Sequence, residues 1–248
     1  MEGKVRYVGK SLLLEIGAER KERILVISDL HLGYEGSMRK SGFFVPSGIY
    51  YETIKDMELI FKNILSEGKK VDKIIILGDL KHEIGAILKE EWREVLDFID
   101  FLISKKVREI VIVKGNHDVM IHFLLKHKRV KIVDYLVIDD FAFLHGDRDF
   151  REIYDKKVKV WVLGHLHPSI ILKDRVGVKE EKYKCFLIGK YKNKKIVILP
   201  SFFVMIEGSD VRDNNDMVWK FRFKNFAVKV VGEKLKVLDF GRLKNIKN

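Results

Sequence analysis

Five short segments of this 248-residue chain collect residue types that hold cations. They are Asp29-Leu30-His31, Gly78-Asp79-Leu80-Lys81-His82, Gly115-Asn116-His117-Asp118, His145-Gly146-Asp147 and Gly164-His165-Leu166-His167-Pro168. In an extended segment residues i and i+2 point the same way, so Asp29 with His31, and His165 with His167, can each reach one ion. Asp79 follows a hydrophobic strand, where the two oxygens of one carboxylate can serve different metals. Asn116 offers a neutral carbonyl oxygen that binds a hard or borderline cation without adding charge. Counted together, Asp29, His31, Asp79, Asn116, His145, His165 and His167 give four contacts to each of two ions if Asp79 bridges. Alone, Asp29-Leu30-His31 and Gly78-Asp79 are weak signals; Gly115-Asn116-His117-Asp118 says more, and two histidines at i and i+2 between Gly164 and Pro168 rarely serve packing. The set is informative because six of the eight histidines (31, 82, 117, 145, 165 and 167) fall within it, each at a strand end. Asp118, beside His117, is expected to hold that imidazole in one tautomer.

The elements that must carry these residues are legible in the hydrophobic pattern. Residues 23–28 read as a buried strand ending in Asp29, Lys73–Leu77 as a strand ending at Gly78-Asp79, and 108–113 as one ending at Gly115. Residues 141–144 and Val160–Leu163 precede His145 and Gly164. Two amphipathic helices are expected, over 49–66 and 88–104. The first carries Ile54, Met57, Ile60, Phe61, Ile64 and Leu65 on one stripe, and Gly68 suits its end. A hairpin over 5–16 turns near Gly9-Lys10, and strands fit 130–133, 135–138, 183–189, 194–199, 226–231 and 235–239. Strand–helix alternation therefore comes first and a β-rich half follows. Every motif lies just past the C-terminal end of a strand, where open α/β sheets place ligand sites.

The length suits one domain over 1–248, with a motif-bearing core of about 22–207 and a β-rich basic extension over 208–248. Mean hydropathy is -0.07, and runs such as residues 74–77 and 196–199 are far too short to span a bilayer, so no membrane association and a cytoplasmic location are expected. One cysteine, Cys185, sits in an apolar run and reads as a small buried hydrophobe. Lys and Arg number 48 against 36 Asp and Glu, a net charge of +12 that favours polyanionic partners without selecting one. Residues 217–248 hold nine Lys/Arg against Glu233 and Asp239, or +7. Within them Trp219-Lys220-Phe221-Arg222-Phe223-Lys224 alternates aromatic and basic residues. This reads as a strand with its aromatics in the core, and alternatively as a nucleic-acid track. Lys81 and Arg148 read as solvated charges, with substrate phosphate as their other use.

The motif order D-x-H, G-D, G-N-H-D, H, G-H-x-H resembles that of the calcineurin-like metallophosphoesterase superfamily, over roughly residues 24–200. The resemblance implies an α/β fold, a four-layer α-β-β-α sandwich with two face-to-face mixed β-sheets. It implies that Asp29, His31 and His167 hold one metal, that Asn116, His145 and His165 hold the other, and that Asp79 bridges them. His117 would meet the phosphate and protonate the leaving group. The finer texture looks like that of SbcD-type nucleases, in which a histidine three residues past the bridging aspartate lines the site, here His82. The DNA-capping domain of those nucleases is expected to be missing or reduced, given the short β-rich stretch after residue 200.

The cofactors implied are two divalent transition metal ions, with manganese expected and iron, zinc, cobalt or nickel also suited to mixed N/O ligation. The expected activity is phosphoester hydrolysis by a metal-bridging hydroxide with His117 as acid, most like a phosphodiesterase or nuclease acting on nucleic acid or nucleotide. A phosphomonoesterase or nucleotide pyrophosphatase could use the same core, and a non-catalytic protein-binding scaffold is a third reading. Loops 33–48 and 201–217 are expected to set substrate choice.

Overall fold

A computed structural model describes residues 4–17, 21–45, 47–173, 179–212 and 217–246. Its first sheet has six strands in sequence order: β1 (Lys4–Val8), β2 (Ser11–Ile16), β3 (Glu22–Ile27), β4 (Lys73–Leu77), β5 (Glu109–Val113) and β6 (Lys131–Val133). β1 to β3 pair antiparallel, and β3 to β6 run parallel. α1 (Tyr34–Lys40) and α2 (Ile49–Ser66) lie between β3 and β4. α3 (Lys89–Ser104) lies between β4 and β5, and the single turn α4 (Ile121–Leu124) follows β5. The parallel strands are apolar on both faces because both are covered. Ile74 and Ile76 pack with Met57, Ile60 and Ile64 of α2 and with Val95, Phe98, Ile99 and Leu102 of α3. Ile75 and Leu77 turn the other way, toward the second sheet. Full burial of each such side chain contributes about 1.5–3 kcal/mol. Leu65, expected on the buried stripe of α2, lies at its margin in the last turn and is exposed.

The second sheet contains β7 (Leu136–Ile138), β8 (Phe141–Leu144), β9 (Val160–Leu163), β10 (Pro168–Lys173), β11 (Glu180–Tyr191), β12 (Lys194–Ile198), β13 (Ser209–Asp210), β14 (Ala227–Val231) and β15 (Val237–Arg242). Its order is β13-β10-β11-β12-β9-β8-β7, with β14 paired to β11 and β15 to β14. β8, β9 and β12 are parallel, so their C-terminal ends open toward the same edge as those of β3, β4 and β5. Phe143, Val162, Phe186 and Val197 meet Val26, Ile75 and Val111 between the sheets. The fold is thus α/β with two face-to-face mixed sheets. The outer face of the second sheet is covered by 3-10 turns at Arg151–Tyr154, Phe223–Asn225 and Leu243–Asn245 and by a segment rich in aromatics.

That segment departs from the expected strand. Residues 217–222 are irregular and lead into the turn at Phe223. The alternation survives without the strand: Trp219, Phe221 and Phe223 are buried against Trp161 and Phe226, while Lys220, Arg222 and Lys224 face water. The aromatics are spent on the core and cannot stack bases. α1 and β10 were not anticipated, because the sequence of α1 (YEGSMRK) has no apolar period and β10 starts directly after a metal-type motif. Cys185 is buried, and burial pushes its thiol pKa up. No described helix is long and apolar enough to cross a membrane.

Candidate metal centre

The five motifs occupy neighbouring loops at one edge of the two sheets, and backbone hydrogen bonds tie the loops together. Asp29 N–H donates to the Gly78 carbonyl (3.1 Å), His31 N–H to Asp79 (2.9 Å) and Leu32 N–H to Leu80 (2.9 Å). His82 N–H returns to the Leu32 carbonyl (3.0 Å), and Gly164 N–H donates to His145 (2.8 Å). From behind, Phe202 and Phe203 donate to the carbonyls of Ser28 and Asp29 (2.8 and 3.0 Å).

The expected extended geometry of D-x-H and H-x-H is not what the chain adopts. Asp29 (φ 55°), His31 (48°), Asp79 (48°), His165 (67°) and His167 (49°) all lie in the left-handed region. For residues with a Cβ this costs on the order of 1–2 kcal/mol each. Such strain persists only where surrounding bonds over-determine it, and it concentrates at functional sites. The loops therefore curl inward at each of these residues instead of alternating. Gly78 (φ 74°) is obligatory for a second reason: a Cβ there would stand 2.5 Å from His145 Nδ1 and 2.7 Å from the Gly115 backbone.

Two clusters of donor atoms result. In the first, Asp29, His31 and His167 each present a ligand atom within 4.8 Å of the others. His167 Nε2 is 3.1 Å from Asp29 Oδ1 and 3.4 Å from His31 Nε2. In the second, Asp79, His145 and His165 do the same. His145 Nε2 lies 3.4 Å from Asp79 Oδ2, 3.2 Å from Asn116 Oδ1 and 3.1 Å from His165 Nδ1. Asp79 Oδ2 joins the two clusters, standing 3.8 Å from His31 Nε2. All seven residues read as ligands from sequence are brought together.

The donor set fits divalent cations. His145 Nδ1 lies 2.7 Å from the Leu77 carbonyl, which can only accept, so Nδ1 carries a proton and Nε2 is the nitrogen turned to the centre. Ring nitrogens face one another at 3.1–3.4 Å around two carboxylates that are almost fully buried, an arrangement that wants positive charge between them. Burial holds the His31 imidazole neutral, its pKa pushed down to about 3. For Asp79 burial works upward, but His145 and His31 outweigh it and hold the carboxyl below its usual range. Burial opposes protonation of His145, yet Asp79 and Asp29 raise its pKa to about 10.

His117 sits beside this centre, its Nε2 3.9 Å from Asp79 Oδ2 and its backbone N–H donating to Asp79 Oδ1 at 3.0 Å. The partner expected for it, Asp118, is engaged elsewhere. Asp118 is fully buried and accepts from Leu80 N–H (3.1 Å), Lys81 N–H (3.4 Å) and Gly115 N–H (3.0 Å). It staples the second motif to the third. Burial, then the nearby Asp79 charge, raises its pKa to about 6. His117 Nδ1 instead meets the backbone carbonyl of His82. The His82 ring also joins the site, and with His31 and His117 it forms a third group of converging ring nitrogens. Lys81 is not a solvated charge: it is fully buried, with Nζ on the Glu83 carbonyl. Arg148 is partly exposed and is tied to Asp134 and Asp147.

Several residues at the site carried no signal beforehand. Glu91 and Glu94, in the first turns of α3, reach back to the motif loops: Glu94 Oε2 accepts Gly33 N–H (2.8 Å), and Glu91 Oε1 accepts His82 N–H (2.9 Å). In sequence they are acidic residues at a helix start, a common feature with a dipole explanation. Phe203 and Tyr34 pack edge-on near the histidines, with centroids 5.7 Å from His31 and 4.9 Å from His82 respectively. Of the loops expected to set substrate choice, residues 46 and 213–216 lie outside the described residues.

The fold and the chain agree with known proteins at two levels. No curated protein matches the chain in sequence. Among solved structures it is similar to the nuclease MPE of Pseudomonas putida, at 17% identity and a TM-score of 0.59, over 96% of this chain and 100% of that one. YfcE, a phosphoesterase from E. coli, matches at 14% identity and a TM-score of 0.42, over 86% and 95%. The likeness to the Pseudomonas nuclease concerns the fold alone. The family model for calcineurin-like phosphoesterases matches residues 22–231, running past the core boundary expected near 207 into β14. The chain belongs to the calcineurin-like phosphoesterase family and is a metal-dependent phosphoesterase.

Proposed function

We propose that the chain hydrolyses phosphodiesters, with nucleic acid or nucleotides as substrates, using two divalent ions held by the seven converging residues. Asp29, His31 and His167 would hold one ion, Asn116, His145 and His165 the other, and Asp79 both. Bound there, such ions acidify a water and neutralise charge on the phosphoryl group. Mixed nitrogen and oxygen donors without thiolate favour manganese over magnesium. His117, with Nδ1 occupied by a carbonyl, keeps Nε2 for a proton given to the leaving oxygen. His82 would line the phosphate beside it.

The observation that carries the diester preference is the state of the nearby cations. Lys81 is bound to the Glu83 carbonyl, Lys114 to Asp134, and Arg148 to Asp134 and Asp147. A phosphomonoester dianion brings one more negative charge than a diester, and each basic side chain within these motif neighbourhoods is already engaged. That the Pseudomonas neighbour is a nuclease is compatible with this reading, and so is the net charge of +12. With Mn²⁺, kcat/KM for bis-p-nitrophenyl phosphate should exceed that for p-nitrophenyl phosphate by roughly tenfold or more, about 1.4 kcal/mol of barrier. Single-stranded DNA should be cut under the same conditions. A preference of that size for the monoester would replace this reading with a phosphomonoesterase.

A further inference from the structure

The His117 imidazole is aimed by a peptide group, and that peptide group is held by a buried carboxylate. His117 Nδ1 meets the His82 carbonyl oxygen, which can only accept, so Nδ1 keeps a proton in both charge states and Nε2, facing Asp79, is the nitrogen that takes up and would release the acid's proton through the imidazolium. The amide of that same peptide unit, Glu83 N–H, donates to Glu91 Oε1 at 2.8 Å. His82 N–H donates to the same oxygen at 2.9 Å. One carboxylate oxygen therefore grips both N–H groups that flank the His82 carbonyl. Glu91 is fully buried, and its Oε2 has no hydrogen-bond partner among the described residues. The carboxylate also draws the Leu88 amide at the head of α3, so it ties that helix to the 82–83 peptide.

We propose that Glu91 is the positioning residue for His117: it fixes the 82–83 peptide, whose carbonyl fixes the tautomer and aim of the imidazole. The contact expected of Asp118 is thus made from α3, through a peptide bond. Hydrogen-bond chains of this kind strengthen one another in a buried setting. The catalytic consequence rests on the reading of His117 as the acid, whereas the tautomer does not.

The test uses the zinc-loaded protein labelled with ¹⁵N-histidine, because ring ¹⁵N shifts distinguish Nδ1–H from Nε2–H. The wild type should hold His117 as Nδ1–H. Glu91→Ala should give mixed tautomers while two ions per chain remain bound. Its kcat should fall roughly 10–100-fold on a diester with an alkyl leaving group, the range for lost outer partners of a site. On a p-nitrophenolate leaving group, which needs little protonation, kcat should fall less than about threefold, and KM should be unchanged on both. Glu91→Gln keeps one acceptor oxygen and should recover the tautomer and most of kcat. If the alanine variant does not fold, Glu91→Asp, with its carboxylate withdrawn by one methylene, should show the same mixed tautomers. A single Nδ1–H tautomer in the alanine or aspartate variant would overturn the proposal. So would an equal loss of kcat on both leaving groups, which would leave Glu91 a scaffold role only. If the wild type hydrolyses neither diester, the proposed function fails, and the tautomer comparison still decides the role of Glu91.

Discussion

Asp79→Ala is expected to yield a folded protein that retains less than one divalent ion per chain and loses phosphoesterase activity by at least about a thousandfold. Asp79 Oδ2 stands between the clusters, 3.8 Å from His31 Nε2 and 3.4 Å from His145 Nε2. On the proposed arrangement its removal would strip a charged ligand from both ions at once. Loss of an outer partner alone costs 10–100-fold in metal affinity, so a shared ligand should cost more at each site. The substitution also orphans His117 N–H, now on Asp79 Oδ1 at 3.0 Å, at about 1–3 kcal/mol. Some thermal stability should go with it. Metal content after gel filtration, with circular dichroism for folding, reads the outcome. Two ions retained per folded chain would mean that Asp79 does not join the sites.

His117→Ala should separate chemistry from metal binding. His117 lies outside both clusters that contain a buried carboxylate, so two ions should stay bound. Its Nε2 nevertheless faces the same Asp79 oxygen at 3.9 Å, close enough to serve a phosphoryl group held there. Removing a positioned acid costs about 10²–10⁴-fold in rate. The loss should fall on kcat and be steepest for alkyl leaving groups, since a poor leaving oxygen needs the proton most. Wild-type turnover in this variant on such a diester would remove His117 from the reaction.

The parts of this centre that could be read from sequence were those set by residue type and strand end. Asp29, Asp79, Asn116, His145 and His165 follow runs such as residues 74–77 and 160–163, and a run of that kind ends at a sheet edge wherever both faces are covered. Helices 49–66 and 88–104 were legible for a similar reason: their apolar period answers to one flat sheet face. Backbone conformation was not legible. Nothing about Asp29 or His167 as residue types announces φ near 50°, because the strain is imposed by hydrogen bonds from segments as distant as Phe203. Adjacency misled at Asp118. Its side chain lies next to His117 in sequence but turns into the core, where three backbone amides outbid the imidazole. Glu91, nine residues past His82, reached the same task from a helix, and no local pattern marks that. The aromatic–basic alternation at 219–224 was correctly a buried-versus-solvent pattern but not a strand, since period two is satisfied by any extended chain with one face covered.

The central claim is that two ions sit on either side of one carboxylate. Crystals grown with Mn²⁺ and measured at the manganese absorption edge test it most directly. Two anomalous peaks about 3.5–4 Å apart should flank Asp79, the spacing of two-metal sites. One peak, or peaks away from Asp79 and the histidines, would contradict the account.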